Sequence, residues 1–196
     1  MSRTDDATFD AGRTLIPLAR SAIAQGLGRP ESADATAPWL RTPGACFVTL
    51  TQHRELRGCI GSLEAHRPLL ADVRANALGA AFRDPRFSPL TAGELEITEV
   101  EVSLLSPMQP LSFDSEDAAL AQLRPGEDGV VLQFGARRST FLPQVWEQLP
   151  DIGDFMAQLK RKAGLPANFW HDDVRLQRYT VSKWKESELR QAQPAA

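Results

Sequence analysis

Two short apolar runs separated by a polar turn are the feature that most constrains how this chain can fold. Ala45–Thr51 is apolar and β-branched, Gln52–Glu55 is polar, and Leu56–Gly61 is again largely apolar. Strand-forming runs joined by so short a connection predict a β-hairpin, and therefore antiparallel pairing. Because side chains alternate along a strand, Leu56 and Ile60 are expected on one face of the second arm.

The other face of that arm is expected to carry Arg57 and Cys59, a guanidinium and a thiol two positions apart. A neighbouring cation favours the thiolate, so the pattern is typical of a nucleophile or of an anion pocket. Gly58 and Gly61 have no side chains and let another backbone or a ligand approach closely. The alternative is a packed strand end with an inert thiol, as most free cysteines are. The residues alone leave both interpretations open.

Length and composition restrict the class of protein. The chain has 196 residues, of which 42% are hydrophobic and 24% charged, which fits one globular domain with a sizeable core, or one domain that carries a small subdomain. A formal net charge of −3 gives no general reason to bind nucleic acid or anionic membrane. No apolar run approaches the roughly 20 residues of a membrane span, and Met1–Asp10 lacks the apolar core of a secretory signal. We therefore expect a cytoplasmic protein with no membrane association.

The cysteines and histidines bear on disulfides and metals. Cys46 and Cys59 fall on the two arms of the hairpin, and a one-residue slip in register would put them on opposite faces. A structural disulfide is not expected in a reducing compartment. The histidines at positions 53, 66 and 171 show no metal-ligand spacing with each other or with the thiols. We predict no metal site, and the sequence leaves any cofactor unknown.

Helices and further strands alternate along the rest of the chain. Periodicity and capping residues predict helices at Asp10–Gln25, Pro68–Phe82, Asp114–Leu123 and Asp151–Lys162, and one that opens at Pro143. Strands are predicted at Glu94–Leu105, with a bulge near Thr98 and Glu99, and at Val130–Phe134, Ser139–Leu142 and Val174–Trp184. Strands that arrive as hairpins, with helices between them, predict an α+β fold on a mainly antiparallel sheet.

The segment after the second helix carries a charged pair. Asp84 precedes Pro85 and is pushed toward extended geometry, which ends the helix. Asp84 and Arg86 can fold back as an ion pair, or Arg86 can point into a cleft. Phe82 and Phe87 would anchor the loop in either case.

Six ordered blocks of sequence, spread from about Phe9 to Trp184, together resemble the AMMECR family, called protein A of the AmmeMemoRadiSam system in prokaryotes. The blocks are L-R-G-C-I-G at Leu56–Gly61, F-R-D-P-R-F-S-P-L at Phe82–Leu90, E-V-S-L-L-S at Glu101–Ser106, G-V-V-L at Gly129–Leu132, F-L-P-Q-V-W at Phe141–Trp146 and K-A-G-L at Lys162–Leu165. The Ala-rich connection Gly26–Gly44 is the least diagnostic part of the chain.

The resemblance implies an α+β body with a smaller α/β subdomain and a cleft between them, near the Leu56–Gly61 strand. We expect one such domain over residues 9–186, with residues 187–196 as a flexible tail. The resemblance also implies two partners, a Memo-family protein with a dioxygenase-like fold and a radical S-adenosylmethionine protein. It assigns no reaction and no small-molecule substrate.

Three hypotheses about function follow. In the first, Cys59 is catalytic as a nucleophile or redox thiol, and His53 or His66 serves as base if the fold brings one near. The substrate-binding residues are then Arg57, Gly58, Gly61, Asp84 and Arg86. In the second, the chain is a non-catalytic binding or scaffold module for the partners or for a substrate. In the third, Arg137, Arg138 and Lys160–Lys162 form a basic face for nucleic acid, which the overall acidity disfavours.

Overall fold

The computed structural model describes residues 3–191, with the side chains of residues 11–190. Within that range the chain forms five α-helices and two four-stranded antiparallel sheets, which confirms the predicted α+β class. The chain divides into two compact units, one with the residues through Leu105 and those from Ser182, the other with Ser106–Val181. Each unit has its own sheet and its own hydrophobic core.

The helices and strands have the following bounds. The helices are α1 (Arg3–Gly26), α2 (Leu69–Phe82), α3 (Glu116–Leu120), α4 (Ile152–Lys162) and α5 (Glu186–Gln191). The strands are β1 (Cys46–Gln52), β2 (Glu55–Gly61), β3 (Thr98–Leu105), β4 (Gln109–Pro110), β5 (Gly129–Phe134), β6 (Arg137–Phe141), β7 (Arg175–Tyr179) and β8 (Val181–Lys185). The sheet orders are β2–β1–β3–β8 and β4–β7–β5–β6, so β2 is an edge strand.

Helix α1 buries the apolar stripe that its sequence predicts. The stripe consists of Leu15, Leu18, Ala19, Ala22 and Ile23, all of them buried. The helix begins at Arg3, earlier than the predicted start at Asp10, and Pro17 lies in its interior on an exposed side. Because the stripe is unbroken on either side of Pro17, burial outweighs the cost of the proline.

The β1–β2 hairpin forms as predicted, but its register is interrupted. His53 and Arg54 make the turn with positive φ angles of 52° and 70°. Thr51 pairs with Leu56, whereas Leu50 pairs with Gly58, so Arg57 is an inserted residue that forms a β-bulge.

The bulge changes which side chains share a face of β2. Leu56 pairs with Thr51 and Ile60 pairs with Val48, two residues on opposite faces of β1. The expectation that Leu56 and Ile60 share a face is therefore wrong. The same shift turns Gly58 toward α2, where Leu50 is also buried, and turns Cys59 to the other face.

Two predicted strands are wrong in part. In the segment Glu94–Leu105, residues Leu95–Ile97 form a 3-10 helix, and β3 then pairs with β1 without the predicted bulge. The run Val174–Trp184 is two strands, β7 and β8, which belong to different sheets. Two consecutive strands that belong to different sheets give the same apolar spacing as one long strand, since each of them has a strand pattern by itself.

The second unit packs α4 against its sheet around aromatic side chains. Trp146 and Phe155 stack with ring centroids 3.7 Å apart and an interplanar angle of 4°. Asp151 caps α4 by accepting a hydrogen bond from the Asp154 amide at 3.0 Å. The cap of α3 is Ser115 and not the predicted Asp114, and α3 ends at Leu120, before the predicted Leu123.

Helix α5 follows β8 directly. Its first residue, Glu186, accepts a hydrogen bond from Arg20 of α1 at 3.0 Å, which ties the helix to the first unit. The predicted flexible tail starts at residue 187, inside this helix, and residues 192–196 lie outside the described part of the chain.

Candidate thiol site on the edge strand

Cys59 lies in the middle of edge strand β2, directly opposite Thr49 of β1. As a residue, Cys59 is partly exposed. The Thr49 hydroxyl donates a hydrogen bond to the Cys59 sulfur, with Oγ1 and Sγ 3.3 Å apart. Cys59 is thus not a fully buried residue, and its sulfur has a polar partner, unlike the sulfur of an inert core cysteine.

Asp84 and Arg86 bind the backbone of Cys59. The Cys59 amide donates to Asp84 Oδ2 at 2.9 Å, and Arg86 Nη2 donates to the Cys59 carbonyl oxygen at 3.3 Å. These two groups would otherwise be open hydrogen-bonding positions on the edge of the sheet. The segment predicted to line a cleft therefore also covers the edge of β2.

Asp84 and Arg86 also form the ion pair that the sequence left as one of two alternatives. Arg86 Nη2 lies 2.7 Å from Asp84 Oδ2, and Arg86 Nε lies 2.9 Å from Oδ1. The Asp84 side chain is buried, whereas the Arg86 side chain is 54% exposed. The Arg86 guanidinium holds the pKa of Asp84 well below its ordinary value, and the Cys59 amide acts in the same direction. The carboxylate is therefore ionised at neutral pH.

Arg57 does not lie against the sulfur as its position in the sequence suggested. Its Nε donates to Glu94 Oε1 at 2.9 Å, and its side chain is 12% exposed. Among the described residues, Arg57 Nη1 is buried without a hydrogen-bond acceptor. The Arg57 guanidinium lowers the pKa of Glu94 to about 2, helped by hydrogen bonds from Thr91. Of the two arginines, Arg86 is the one that binds Cys59, and it does so at the backbone carbonyl oxygen.

Phe87 connects the two guanidinium groups. The guanidinium carbon of Arg57 lies 5.9 Å from the centre of the Phe87 ring, and that of Arg86 lies 5.5 Å from it. Both distances allow a cation–π attraction. The predicted anchor Phe87 therefore holds two of the candidate substrate-binding residues in one cluster.

The two glycines of the motif each meet a neighbouring group at short range. A Cβ on Gly58 would lie 2.1 Å from the Ala80 carbonyl oxygen of α2. A Cβ on Gly61 would lie 2.1 Å from the Phe47 ring. Close approach of another backbone, which the sequence offered as one alternative, therefore explains Gly58 through helix packing.

Cys46 lies on the opposite face of the hairpin from Cys59 and is fully buried. Burial raises the pKa of its thiol, and the Asp72 carboxylate raises it further. Asp72 accepts hydrogen bonds from the Cys46 amide at 2.9 Å, from Ser62 at 2.7 Å and from Asn76 at 2.9 Å. Sequence reasoning missed this buried network. Asp72 and Asn76 are polar residues beside the apolar stripe of α2, and neither belongs to a recognisable sequence motif.

The two histidines of the first unit, His53 and His66, are exposed. His53 is in the exposed hairpin turn, and His66 lies 3.4 Å from Glu64. Among the contacts of the described residues, neither histidine reaches Cys59. Among the described residues, no group of three or more His, Cys, Asp or Glu side chains could hold a metal ion.

Two basic residues of the second unit, Lys160 and Lys162, have intramolecular partners. Lys160 is buried, and its Nζ lies 2.5 Å from Glu116 and 5.6 Å from the Trp170 ring centre. Lys162 donates to the Thr140 carbonyl oxygen at 2.9 Å. These contacts give two of the cations in the Lys160–Lys162 run a structural role.

Comparison with known proteins places the chain in a family. The AMMECR1 family model matches residues 16–184. The chain belongs to the AMMECR1 family. Two relatives each align with more than four fifths of this chain. A Methanothermobacter thermautotrophicus protein is 36% identical over 182 residues, or 90% of this chain and 95% of the relative. A Thermotoga maritima protein is 40% identical over 163 residues, or 81% of this chain and 88% of the relative.

The AMMECR1 fold also has a solved counterpart. A crystal structure of an uncharacterized protein from Pyrococcus horikoshii aligns with a TM-score of 0.71 and 32% sequence identity. The alignment covers 89% of this chain and 91% of the other. Membership of the family and the fold, both expected from the sequence blocks, are therefore confirmed. No helix within residues 3–191 combines the length and apolar character needed to cross a bilayer.

Proposed function

We propose that this protein acts in the cytoplasm with a Memo-like protein and a radical S-adenosylmethionine protein, and that it supplies thiol chemistry at Cys59 on a small-molecule substrate. The observation that carries the chemical part is the partly exposed residue Cys59, whose sulfur lies 3.3 Å from the Thr49 hydroxyl. The partners are proposed from the resemblance of the sequence blocks to the AmmeMemoRadiSam protein A family.

In this proposal Cys59 acts as a nucleophile. Its thiol gives up a proton to solvent, and the sulfur electron pair forms a bond to an electrophilic carbon of the substrate. The bond from that carbon to the leaving group breaks as the new one forms, and the leaving group carries away the bonding pair.

Substrate binding is assigned to the cluster around Phe87. Arg86 is 54% exposed and can meet an anionic group of the substrate directly. Arg57 lies on the same aromatic ring and adds positive charge from a more buried position. Asp84 fixes Arg86 in place, and Gly58 and Gly61 shape the strand that carries the thiol.

The alternative is a non-catalytic binding or scaffold module for the same partners or for a substrate. The observation that favours it is the packing of the L-R-G-C-I-G motif. Gly58 is required by α2, and the Cys59 backbone is held by Asp84 and Arg86, so the motif has a structural use without any chemistry. Under this alternative the thiol itself is dispensable.

The test co-expresses the chain with the Memo-like and radical S-adenosylmethionine proteins of the same organism. Affinity purification measures association, and intact-protein and small-molecule mass spectrometry measures adducts on the thiol and bound compounds. Cys59→Ala is the test variant, and Cys46→Ala is the matched thiol control. We expect co-purification in both variants and loss of the adduct and of the system's product in Cys59→Ala only.

Each arm has an outcome that contradicts its part of the proposal. Full product formation by Cys59→Ala would exclude the nucleophile and support the binding module. Failure of the wild-type chain to co-purify with either partner under native conditions would exclude the three-component system, whatever the thiol does.

A further inference from the structure

The hydroxyl of Thr49 is a feature of the thiol site that no sequence motif identifies. Thr49 lies on β1, between Cys59 of β2 and Glu101 of β3 in a single row across the sheet. Its Oγ1 donates to the Cys59 sulfur over 3.3 Å. Thr49 is half-buried, so strand pairing on both sides holds its backbone while its side chain stays on the face of the thiol.

We propose that Thr49 is the positioning residue for Cys59, and that its hydroxyl sets the orientation of the sulfur and stabilises its anionic form. This inference rests on the proposed function, because it concerns the reactivity of the same thiol. A hydroxyl that donates to a charged acceptor makes a stronger hydrogen bond than one to a neutral acceptor. The contact is therefore worth more to the thiolate than to the thiol, which is the condition for activating a nucleophile.

The charged side chains near Cys59 are paired with each other, whereas the Thr49 hydroxyl contacts the sulfur directly. Arg86 approaches from the 84–86 segment, but its guanidinium is paired with the Asp84 carboxylate. On β3, Glu101 occupies the position beyond Thr49, and Lys185 of β8 lies 3.9 Å from it. Each of these two cations is paired with a carboxylate, Arg86 with Asp84 and Lys185 with Glu101. Thr49 is the neutral donor in direct contact with the sulfur.

The geometry supplies a matched pair of substitutions. Thr49→Val keeps the branched shape and strand propensity of threonine and removes the hydroxyl. Thr51→Val makes the same change two residues further along the same face, opposite Leu56 and away from the sulfur. Thr49→Ser restores a hydroxyl at the test position.

The experiment measures alkylation of Cys59 by iodoacetamide at a fixed near-neutral pH, with the isolated chain and no partner present. Peptide mass spectrometry follows Cys59 and Cys46 separately, and ultraviolet thiolate absorbance is read on the same samples. Thr49→Val is expected to slow alkylation of Cys59 roughly three- to tenfold and to reduce the thiolate absorbance. Thr49→Ser should lie within about twofold of wild type, and Thr51→Val should match wild type.

A Thr49→Val protein that alkylates as fast as wild type overturns the inference, as does an equal loss in Thr51→Val. If Thr49→Val labels Cys46, its fold is disturbed, and the comparison of Thr49→Ala with Thr49→Ser then decides in the same way. Product formation with the partners is not used here. A failure of the proposed function in the Cys59→Ala experiment is therefore distinct from a failure of the Thr49 role.

Discussion

The Asp84 carboxylate accepts a hydrogen bond from the Cys59 backbone amide at 2.9 Å, although the two residues are 25 positions apart. The contact joins the L-R-G-C-I-G block to the F-R-D-P-R-F-S-P-L block, as does the hydrogen bond from Arg86 to the Cys59 carbonyl oxygen. Pro85 keeps Asp84 out of the helix, and Arg86 then returns to the same carboxylate. The two most distinctive blocks of the sequence therefore contact each other and form one site.

Asp84→Ala should open the edge of β2 around Cys59. The amide loses its acceptor and Arg86 loses the group that orients it, so local fluctuations expose the backbone more often. We expect the Cys59 amide to exchange its hydrogen roughly tenfold faster than in wild type, as measured by hydrogen exchange with mass spectrometry or NMR. Asp172→Ala, at an exposed position of the second unit, serves as control. Unchanged exchange at Cys59 would show that the carboxylate does not hold the strand.

Gly58→Ala should destabilise the first unit. The new methyl group would lie 2.1 Å from the Ala80 carbonyl oxygen, so α2 has to move away from the sheet. Overpacking of this kind costs about 1–3 kcal/mol of unfolding free energy, measurable by urea denaturation. Gly93→Ala is the control, because no heavy atom outside residues 92–94 lies within 4 Å of its Cβ position, and it should change stability by less than about 0.5 kcal/mol. Equal stability of the two variants would contradict the tight contact.

Glu94 should make stability depend on pH in the acid range. The pKa of Glu94 falls from its ordinary value of 4.5 to about 2 in the folded chain, because Arg57 stabilises the carboxylate. A lowered pKa stabilises the fold above the unfolded value and loses that contribution as the pH falls toward the folded value.

The variant Glu94→Gln removes this dependence. Wild type should exceed Glu94→Gln in unfolding free energy above about pH 4.5, and the difference should shrink between pH 4.5 and pH 2. Chemical denaturation at a series of pH values measures it. A difference that stays constant over that range would mean that the Arg57 contact does not act through the charge of Glu94.

Asp72→Ala should be among the most destabilising single changes in the first unit. The Asp72 side chain is 1% exposed and accepts from Cys46, Ser62 and Asn76. Removing it leaves buried donors without an acceptor, which costs about 3 kcal/mol in total. Arg74→Ala, on an exposed side of the same helix, should be near neutral. Thermal and urea unfolding of both variants check the ranking, and a small effect of Asp72→Ala would contradict it.

The bulge shows where prediction from sequence reaches its limit. Counted from the turn pair Gln52–Glu55, a regular hairpin places Val48 opposite Cys59, whereas the inserted residue places Thr49 there. Alternation and turn chemistry predicted both strands and the turn, because those signals are local. The position of a bulge depends on what packs against each face of the sheet, here α2 against Gly58. No local pattern in the sequence of β2 predicts it.

The same distinction applies to the charged residues of the site. The ion pair of Asp84 and Arg86 was one of two stated alternatives, since two residues with one between them can always meet. The pairing of Arg57 with Glu94 spans 37 positions and depends on how the loop after α2 returns to the sheet. The buried face of a helix and the position of a strand can be predicted from short-range hydrophobic periodicity. The partner of a long side chain depends on tertiary structure, which that periodicity does not contain.

Cys46 and Cys59 sit on opposite faces of one hairpin, and this has a consequence for oxidative damage. A sulfenic acid formed on Cys59 has no resolving thiol within the hairpin, because the sheet itself separates the two sulfurs. Its recovery therefore depends on an external reductant such as glutathione, or on a cysteine brought by another protein.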